Sequence, residues 1–170
     1  QIDRISAIIQ SLLNIARPRQ ALPAAVDLVA VVDTAIAFLS EKLGRREVTV
    51  ERDYTATPTV RGDRDKLQQL FLNLFLNAID AMPDGGQLRI AIRDNAAREI
   101  EIDVSDTGTG ISADDLPHVF TPFFTTKPAG HGSGLGLVVA QGIVADHGGE
   151  LEVTSAIDRG TTFTIRLPLG

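Results

Sequence analysis

Cysteine is absent from the 170 residues, which excludes disulfides and thiolate metal sites and fits a reducing compartment. Basic residues are in deficit, 16 Lys and Arg against 22 Asp and Glu, for a net charge of −6. No Lys/Arg cluster interrupts that balance, so no nucleic-acid face is expected. No apolar run approaches the roughly 18 residues of a membrane span, and no signal peptide is visible. We therefore expect no membrane contact from this stretch and a cytoplasmic setting, with any anchor of a parent protein lying elsewhere. The chain opens on Gln1 and not Met, and we expect a piece of a longer protein. Neither disorder nor a fibrous repeat is indicated, because 44% of the residues are hydrophobic and only 22% charged.

What is present falls into an ordered series of elements. Ile2, Ile5, Ile9, Leu12 and Ala16 form a heptad-like seam on one helix. Such a helix cannot bury its stripe alone, so it either packs on the main domain or is half of an interrupted bundle. Pro18 and Pro23 break the pattern and mark a linker. Leu28 to Leu43 reads as a helix with Gly44 at its C-terminal cap, and Val48 to Tyr54 as a strand. Asp63 is placed to cap a long helix whose buried face carries Leu67, Leu70, Phe71, Leu74, Phe75, Ala78 and Met82. After a Pro83–Gly86 turn, Leu88–Arg93 and Ile100–Val104 alternate like a hairpin with one wet face. Residues 107–133 are rich in Gly, Pro and Thr with one short helical piece, the pattern of a functional lid. Leu135 to His147 reads as a helix closed by Gly148 and Gly149, followed by strands over Glu150–Thr154 and Thr161–Leu167. Helices are too few and hairpins too frequent for a doubly wound parallel sheet. The expected fold is α/β in the α+β sense: a two-layer sandwich with a mixed β-sheet and helices on one face.

Three segments carry chemistry. Asn73, Asn77 and Asp80 share one helix stripe. Amides in an apolar helix need partners, and an amide oxygen is a hard neutral ligand suited to Mg²⁺; two plain helix-surface asparagines are the simpler alternative. Asp106-Thr-Gly-Thr-Gly-Ile111 follows a strand directly. Its glycines let the backbone approach a flat ligand, and Asp106 can accept from an exocyclic amine such as adenine's; an ordinary Asp-Gly turn is the alternative. Gly130-His-Gly-Ser-Gly-Leu-Gly-Leu137 opens a helix and offers bare N–H groups at its positive end, a phosphate cradle. It is neither a Walker sequence nor a dinucleotide fingerprint, since Leu135 and Leu137 stand where the third Gly would be. Lys127 is the nearest cation for a phosphate. Phe120, Phe123 and Phe124 around Pro122 are either core or a hydrophobic latch that seats the lid.

Taken in order, these segments resemble the GHKL ATPases, the superfamily of gyrase, the heat-shock chaperone, histidine kinases and MutL. Asn73-Leu-Phe-Leu-Asn77-Ala resembles the N box, Asp106–Gly110 the first glycine box, Phe120-Thr-Pro-Phe-Phe124 the F box, and Gly132–Leu137 the second glycine box, with Gly160-Thr161 as a short terminal one. The F box, and Asn73 where gyrase-type enzymes carry a Glu base, resemble histidine kinases; Phe-Phe-Thr-Thr-Lys-Pro is similar to the nitrogen-regulation type. The resemblance implies the Bergerat fold over 26–170, a linker over 18–25, and the end of the second dimerisation helix over 1–17. It implies a protein-histidine kinase using ATP and Mg²⁺. Asn77 would hold the metal, Asn73 and Lys127 would contact metal-bound phosphates, and these three would carry the catalytic role. Asp106 would bind the adenine amine, and Thr161 would support it. The nucleotide site would also include Asp80, Gly108, Gly110, Ile111, Phe124, Thr125, Thr126, Gly132, Ser133, Gly134, Leu135, Gly136 and Leu137. Implied partners are an acceptor-histidine helical bundle of the same kinase family and a response-regulator receiver domain.

The departure is the absence of a His-Glu-x-x-x-Pro acceptor box. His118 and His131 fall in the lid, and His147 ends a helix. Two competing readings remain open: an anti-sigma-type switch kinase acting on Ser/Thr, against which the heptad helix and Pro-rich linker argue, and a nucleotide-sensing module without transfer activity.

Overall fold

The computed structural model describes residues 23–95, 98–128 and 132–170. The expected bundle helix over 1–17 and the linker up to residue 22 lie outside the described residues. The described chain forms β1 (Ala24–Asp27), α1 (Leu28–Phe38), α2 (Ser40–Arg45), β2 (Val48–Tyr54), β3 (Thr59–Gly62), α3 (Arg64–Ala81), β4 (Gly86–Asp94), β5 (Glu99–Asp106), α4 (Gly136–Asp146), β6 (Glu150–Ala156) and β7 (Gly160–Pro168). A single short 3₁₀ turn, Leu116–His118, interrupts the long loop between β5 and α4.

The main sheet has strand order β2-β4-β5-β7-β6. β2 runs parallel to β4, and every other neighbouring pair is antiparallel. The chain leaves β2, passes through β3 and α3, and returns as β4, which is the crossover a parallel pair demands. Along β5 the side chains of Ile100, Ile102, Val104 and Asp106 are buried while their alternates are partly exposed. The buried set faces the helical layer. The other face is stitched by cross-strand ion pairs, Arg93 to Asp103 at 3.0 Å and Arg166 to Glu152 at 2.9 Å.

α3 is the central helix of that layer. Asp63 accepts hydrogen bonds from the Asp65 and Lys66 N–H groups and so starts the helix as its sequence requires. Leu67, Leu70, Phe71, Leu74, Phe75, Ala78 and Ile79 are buried along one stripe, each large one stabilising the fold by about 1.5–3 kcal/mol. The opposite stripe is left to face the loop between β5 and α4. His147 joins this layer together: its Nε2 accepts from the Asp63 N–H at 3.1 Å, and its Nδ1 lies 2.7 Å from the Ile143 carbonyl. Gly62 makes room for that ring, since a Cβ there would meet His147 at 2.5 Å.

Two expectations are corrected. The helix expected over Leu28–Leu43 breaks at Leu39 into α1 and α2, and Gly44 sits inside α2 without capping it. Leu39 and Leu43 are both buried, so α1 and α2 keep one apolar face on the core across the break. The left-handed residue that closes α2 is Glu47, at φ 53°. The second correction is an added two-stranded antiparallel sheet, β1 with β3. These strands have four residues each, too few to register as an alternation. β1 begins at Ala24, inside the stretch expected as linker. Among the described residues no helix is long and apolar enough to cross a membrane.

Candidate functional site

A cavity of about 590 Å³ opens between the polar stripe of α3, the end of β5, and the segments flanking the N-terminus of α4. All of the residues expected in a nucleotide site line it except Gly108 and Leu135.

One end is made by the sheet. Asp106 is the last residue of β5, directly opposite Thr161 of β7. It is only 8% exposed, and Thr161 is buried beside it. The Gly108 N–H donates to Asp106 Oδ1 at 2.8 Å and the Thr161 N–H to the same oxygen at 3.3 Å. Oδ2 takes no hydrogen bond from any described residue, so the carboxylate is held by one oxygen and offers the other. Burial pushes the Asp106 carboxyl above the usual range, and the two N–H groups pull it partly back. The glycines here have steric reasons. A Cβ on Gly160, at φ 79°, would stand 1.9 Å from the Asp106 carbonyl oxygen, and one on Gly108 would stand 2.5 Å from that of Ala81. Gly108 is therefore structural, keeping the Asp106 loop against α3. Ser155 of β6 completes this end: its hydroxyl accepts from the Ile111 N–H at 2.8 Å, donates to the Gly160 carbonyl at 2.9 Å, and contacts the Thr161 hydroxyl at 2.9 Å.

The opposite end is made by helices. Asn73 Nδ2 donates to the Gly136 carbonyl at 3.1 Å, tying α3 to the start of α4. Asn77 makes no side-chain hydrogen bond among the described residues and lines the cavity. α4 begins without a side-chain cap, so its first N–H groups stay available next to the cavity wall formed by Gly136 and Leu137. Leu135 is the residue before that first turn; its N–H donates to the Ser133 hydroxyl at 3.3 Å, which makes it a support for the loop and not a wall of the cavity.

Asp80 has both oxygens engaged. Lys42 Nζ donates to Oδ1 and Lys127 Nζ to Oδ2, each at 2.7 Å. Burial opposes the charge, and the hydrogen bonds and charges of the two lysines outweigh it, holding the Asp80 carboxyl below its usual range. Lys127 is thus clasped to α3 across the cavity mouth. Its stem lies along Gly132, where a Cβ would meet Lys127 Cδ at 3.3 Å.

The three phenylalanines expected as core or latch separate. Phe120 packs on the core, Phe124 lines the cavity with its ring 5.8 Å from His118, and Phe123 is 73% exposed. Phe123 holds a left-handed backbone at φ 66°. Its N–H donates to the Gly134 carbonyl at 3.0 Å, so the loop is pinned onto the glycine-rich segment. Sequence reasoning does not single out Ser155, Val119 or Lys42. Ser155 is one polar residue in an alternating strand, and Lys42 is 38 residues from its partner, so no local signal marks either.

Residues 62–170 match the family described as histidine kinase-, DNA gyrase B-, and HSP90-like ATPase. The chain belongs to that family. Over 170 residues it is 37% identical to the sensor histidine kinase ZraS of Escherichia coli, a match covering 99% of this chain and 36% of the relative. It therefore spans little more than a third of that relative's length. Among solved structures, the mycobacterial sensor histidine kinase MprB superposes with a TM-score of 0.76 at 31% identity, covering 87% of this chain and 98% of that one. The catalytic domain of histidine kinase ThkA, free of nucleotide, gives 0.77 at 26% identity, with 86% and 95% covered. The α+β architecture described above is the one these histidine kinase domains share.

Proposed function

We propose that the chain is the catalytic domain of a sensor histidine kinase, binding ATP with Mg²⁺ and passing the γ-phosphoryl group to a histidine on a helical bundle, for relay to a response regulator. The observation that carries this reading is the polarity of the cavity. At one end a buried carboxylate offers a single free oxygen; at the other lie an uncapped helix N-terminus and an ammonium group. An adenine amine suits the first and a triphosphate the second.

Mg²⁺ fits the donors available. Asn77 keeps its whole carboxamide, and Asn73 keeps its oxygen because its nitrogen is the atom bound to Gly136. No group of three or more His, Cys, Asp or Glu among the described residues is placed to hold a metal alone, so an ion here would share phosphate oxygens and water, as Mg²⁺ prefers. Once bound, it would neutralise charge on the phosphates. The chain's own residues orient the nucleotide: Asp106 fixes the base, and the N–H groups of α4 together with Lys127 meet the phosphates. In the transfer, the bond from the γ-phosphorus to the ADP oxygen breaks as a bond to the acceptor imidazole nitrogen forms, and the imidazole proton leaves to solvent. Such a step needs positioning and charge neutralisation more than a covalent participant, which is why no Ser-His-Asp set is required. The heptad pattern over 1–17 supports assigning that stretch to the second bundle helix, with 18–25 as linker and 26–170 as the catalytic domain.

The test is radiolabelled ATP, with the chain alone and with an acceptor bundle of the same kinase family. Acid-labile label is expected on the bundle and not on the chain. Both nitrogens of His147 are already engaged, far along α4 from its N-terminus. Acid-labile label on the chain alone, mapped to His118, His131 or His147, overturns this reading.

A further inference from the structure

We infer that Lys42, which lies outside the nucleotide cavity, is a positioning residue that neutralises Asp80 and so leaves Lys127 free to move to a bound polyphosphate. This rests on the ATP-binding reading above and deepens it.

Asp80 is an unexpected neighbour for a polyanion. It lines the same cavity as Asn77 and the start of α4, and its side chain is only 27% exposed. An unpaired carboxylate there would repel phosphate groups, and the partly enclosed setting would screen that repulsion poorly. With one lysine, the carboxylate and the ammonium would cancel, and moving the ammonium to a phosphate would uncover the carboxylate. The structure supplies two. Lys42 comes from α2 and holds Oδ1, while Lys127 comes from the loop before α4 and holds Oδ2. The triad carries a net charge of +1, so one lysine can leave without leaving the half-buried carboxylate unpaired.

The two lysines are not equivalent. Lys127 lines the cavity and Lys42 does not. Lys127 also sits in the long loop between β5 and α4, whereas Lys42 sits on a helix anchored by the buried Leu43. The mobile partner is therefore Lys127 and the fixed counter-charge is Lys42. Without Lys42, Asp80 would hold Lys127 as its only cation and compete with the phosphates for it.

A double-mutant cycle on ATP affinity, measured by calorimetry on the full chain, tests this. Lys42→Gln is expected to weaken ATP binding about twofold to fivefold, the range of one partly exposed ion pair acting through a competing charge. Adding Asp80→Asn to Lys42→Gln is expected to recover most of that loss, because the competing carboxylate is gone. Lys42→Arg is expected to retain wild-type affinity. Lys42→Ala serves as a second neutral variant, and its 39% exposed side chain makes truncation tolerable to the fold. A loss that Asp80→Asn leaves unrepaired would mean Lys42 acts structurally and would overturn the inference, as would no loss in either neutral variant. A wild-type chain that fails to bind ATP at all would overturn the nucleotide reading itself, and this inference with it.

Discussion

Asp106 and Asp80 both line the cavity, one at the end of β5 and the other near the end of α3, and their surroundings drive their carboxyls in opposite directions. Asp106 is buried among neutral donors, so burial prevails and its carboxyl is raised. Asp80 is gripped by two lysines, which outweigh its burial and lower it. The sheet end is a rigid acceptor built from register, backbone N–H groups and glycines that admit no side chain. The helical end is an electrostatic clasp made of long side chains. A base needs shape and one fixed acceptor, and dipoles fixed by strand pairing provide that without reorganising. A polyphosphate suits cations that can change partners, which is the part proposed for Lys127.

The largest test of this contrast strikes the sheet end. Gly160→Ala places a Cβ against the Asp106 backbone at a left-handed position. It should cost about 3 kcal/mol or more in stability, read by urea unfolding, with ATP binding lost alongside. Gly142→Ala is the control, since nothing lies within 4 Å of its Cβ position. In the middle of α4 it should be neutral or stabilising by up to about 1 kcal/mol. Equal losses in the two variants would remove the claim that the sheet end is sterically built.

A smaller effect should separate binding from stability at Asp106. Asp106→Asn replaces an acceptor with an amide whose N–H₂ can face the ligand amine. ATP affinity should fall by about 1.5–3 kcal/mol, the worth of a charge-assisted hydrogen bond. Stability at neutral pH should hold or rise, because the raised carboxyl is a group the fold penalises when ionised. Its stabilising contribution is complete below its ordinary value of 3.8 and is lost as pH rises through the folded value. A variant that binds ATP as tightly as the parent would sink the adenine assignment.

The smallest effect should come from Asp80 in acid. Its folded value is lowered, so its contribution is present above 3.8 and is lost as pH falls through the lower folded value. Asp80→Asn should flatten that acid limb of the unfolding curve while leaving the shape of the neutral plateau alone. An unchanged acid limb would mean that the clasp adds nothing to the fold.

The elements legible in the sequence were those whose own length exposes a period. α3 repeats its apolar residues along a helix of 18 positions, and β4 and β5, of 9 and 8 residues, carry the alternations at Leu88–Arg93 and Ile100–Val104. β1 and β3 were not legible because four residues show no period. The break at Leu39 was hidden because the apolar pattern runs on through Leu43. In the site, the glycine-rich segments and the Asn73–Asn77 spacing stood out as local patterns. Ser155 and Lys42 did not, since each acts on a residue brought to it from another element.

The sequence by itself determined the order of the elements, the buried stripe of α3, the polar stripe opposite it, and the loops that must stay free of side chains. These are properties of neighbouring residues, set by backbone geometry and by periods of 3.6 and 2. The tertiary structure alone decided that Asp106 shares one oxygen between Gly108 and Thr161, and that Asp80 is held by lysines 38 residues before it and 47 after it. Charges and hydrogen bonds act through space over a few ångströms, and which residues come that close is set by the packing of sheet against helix.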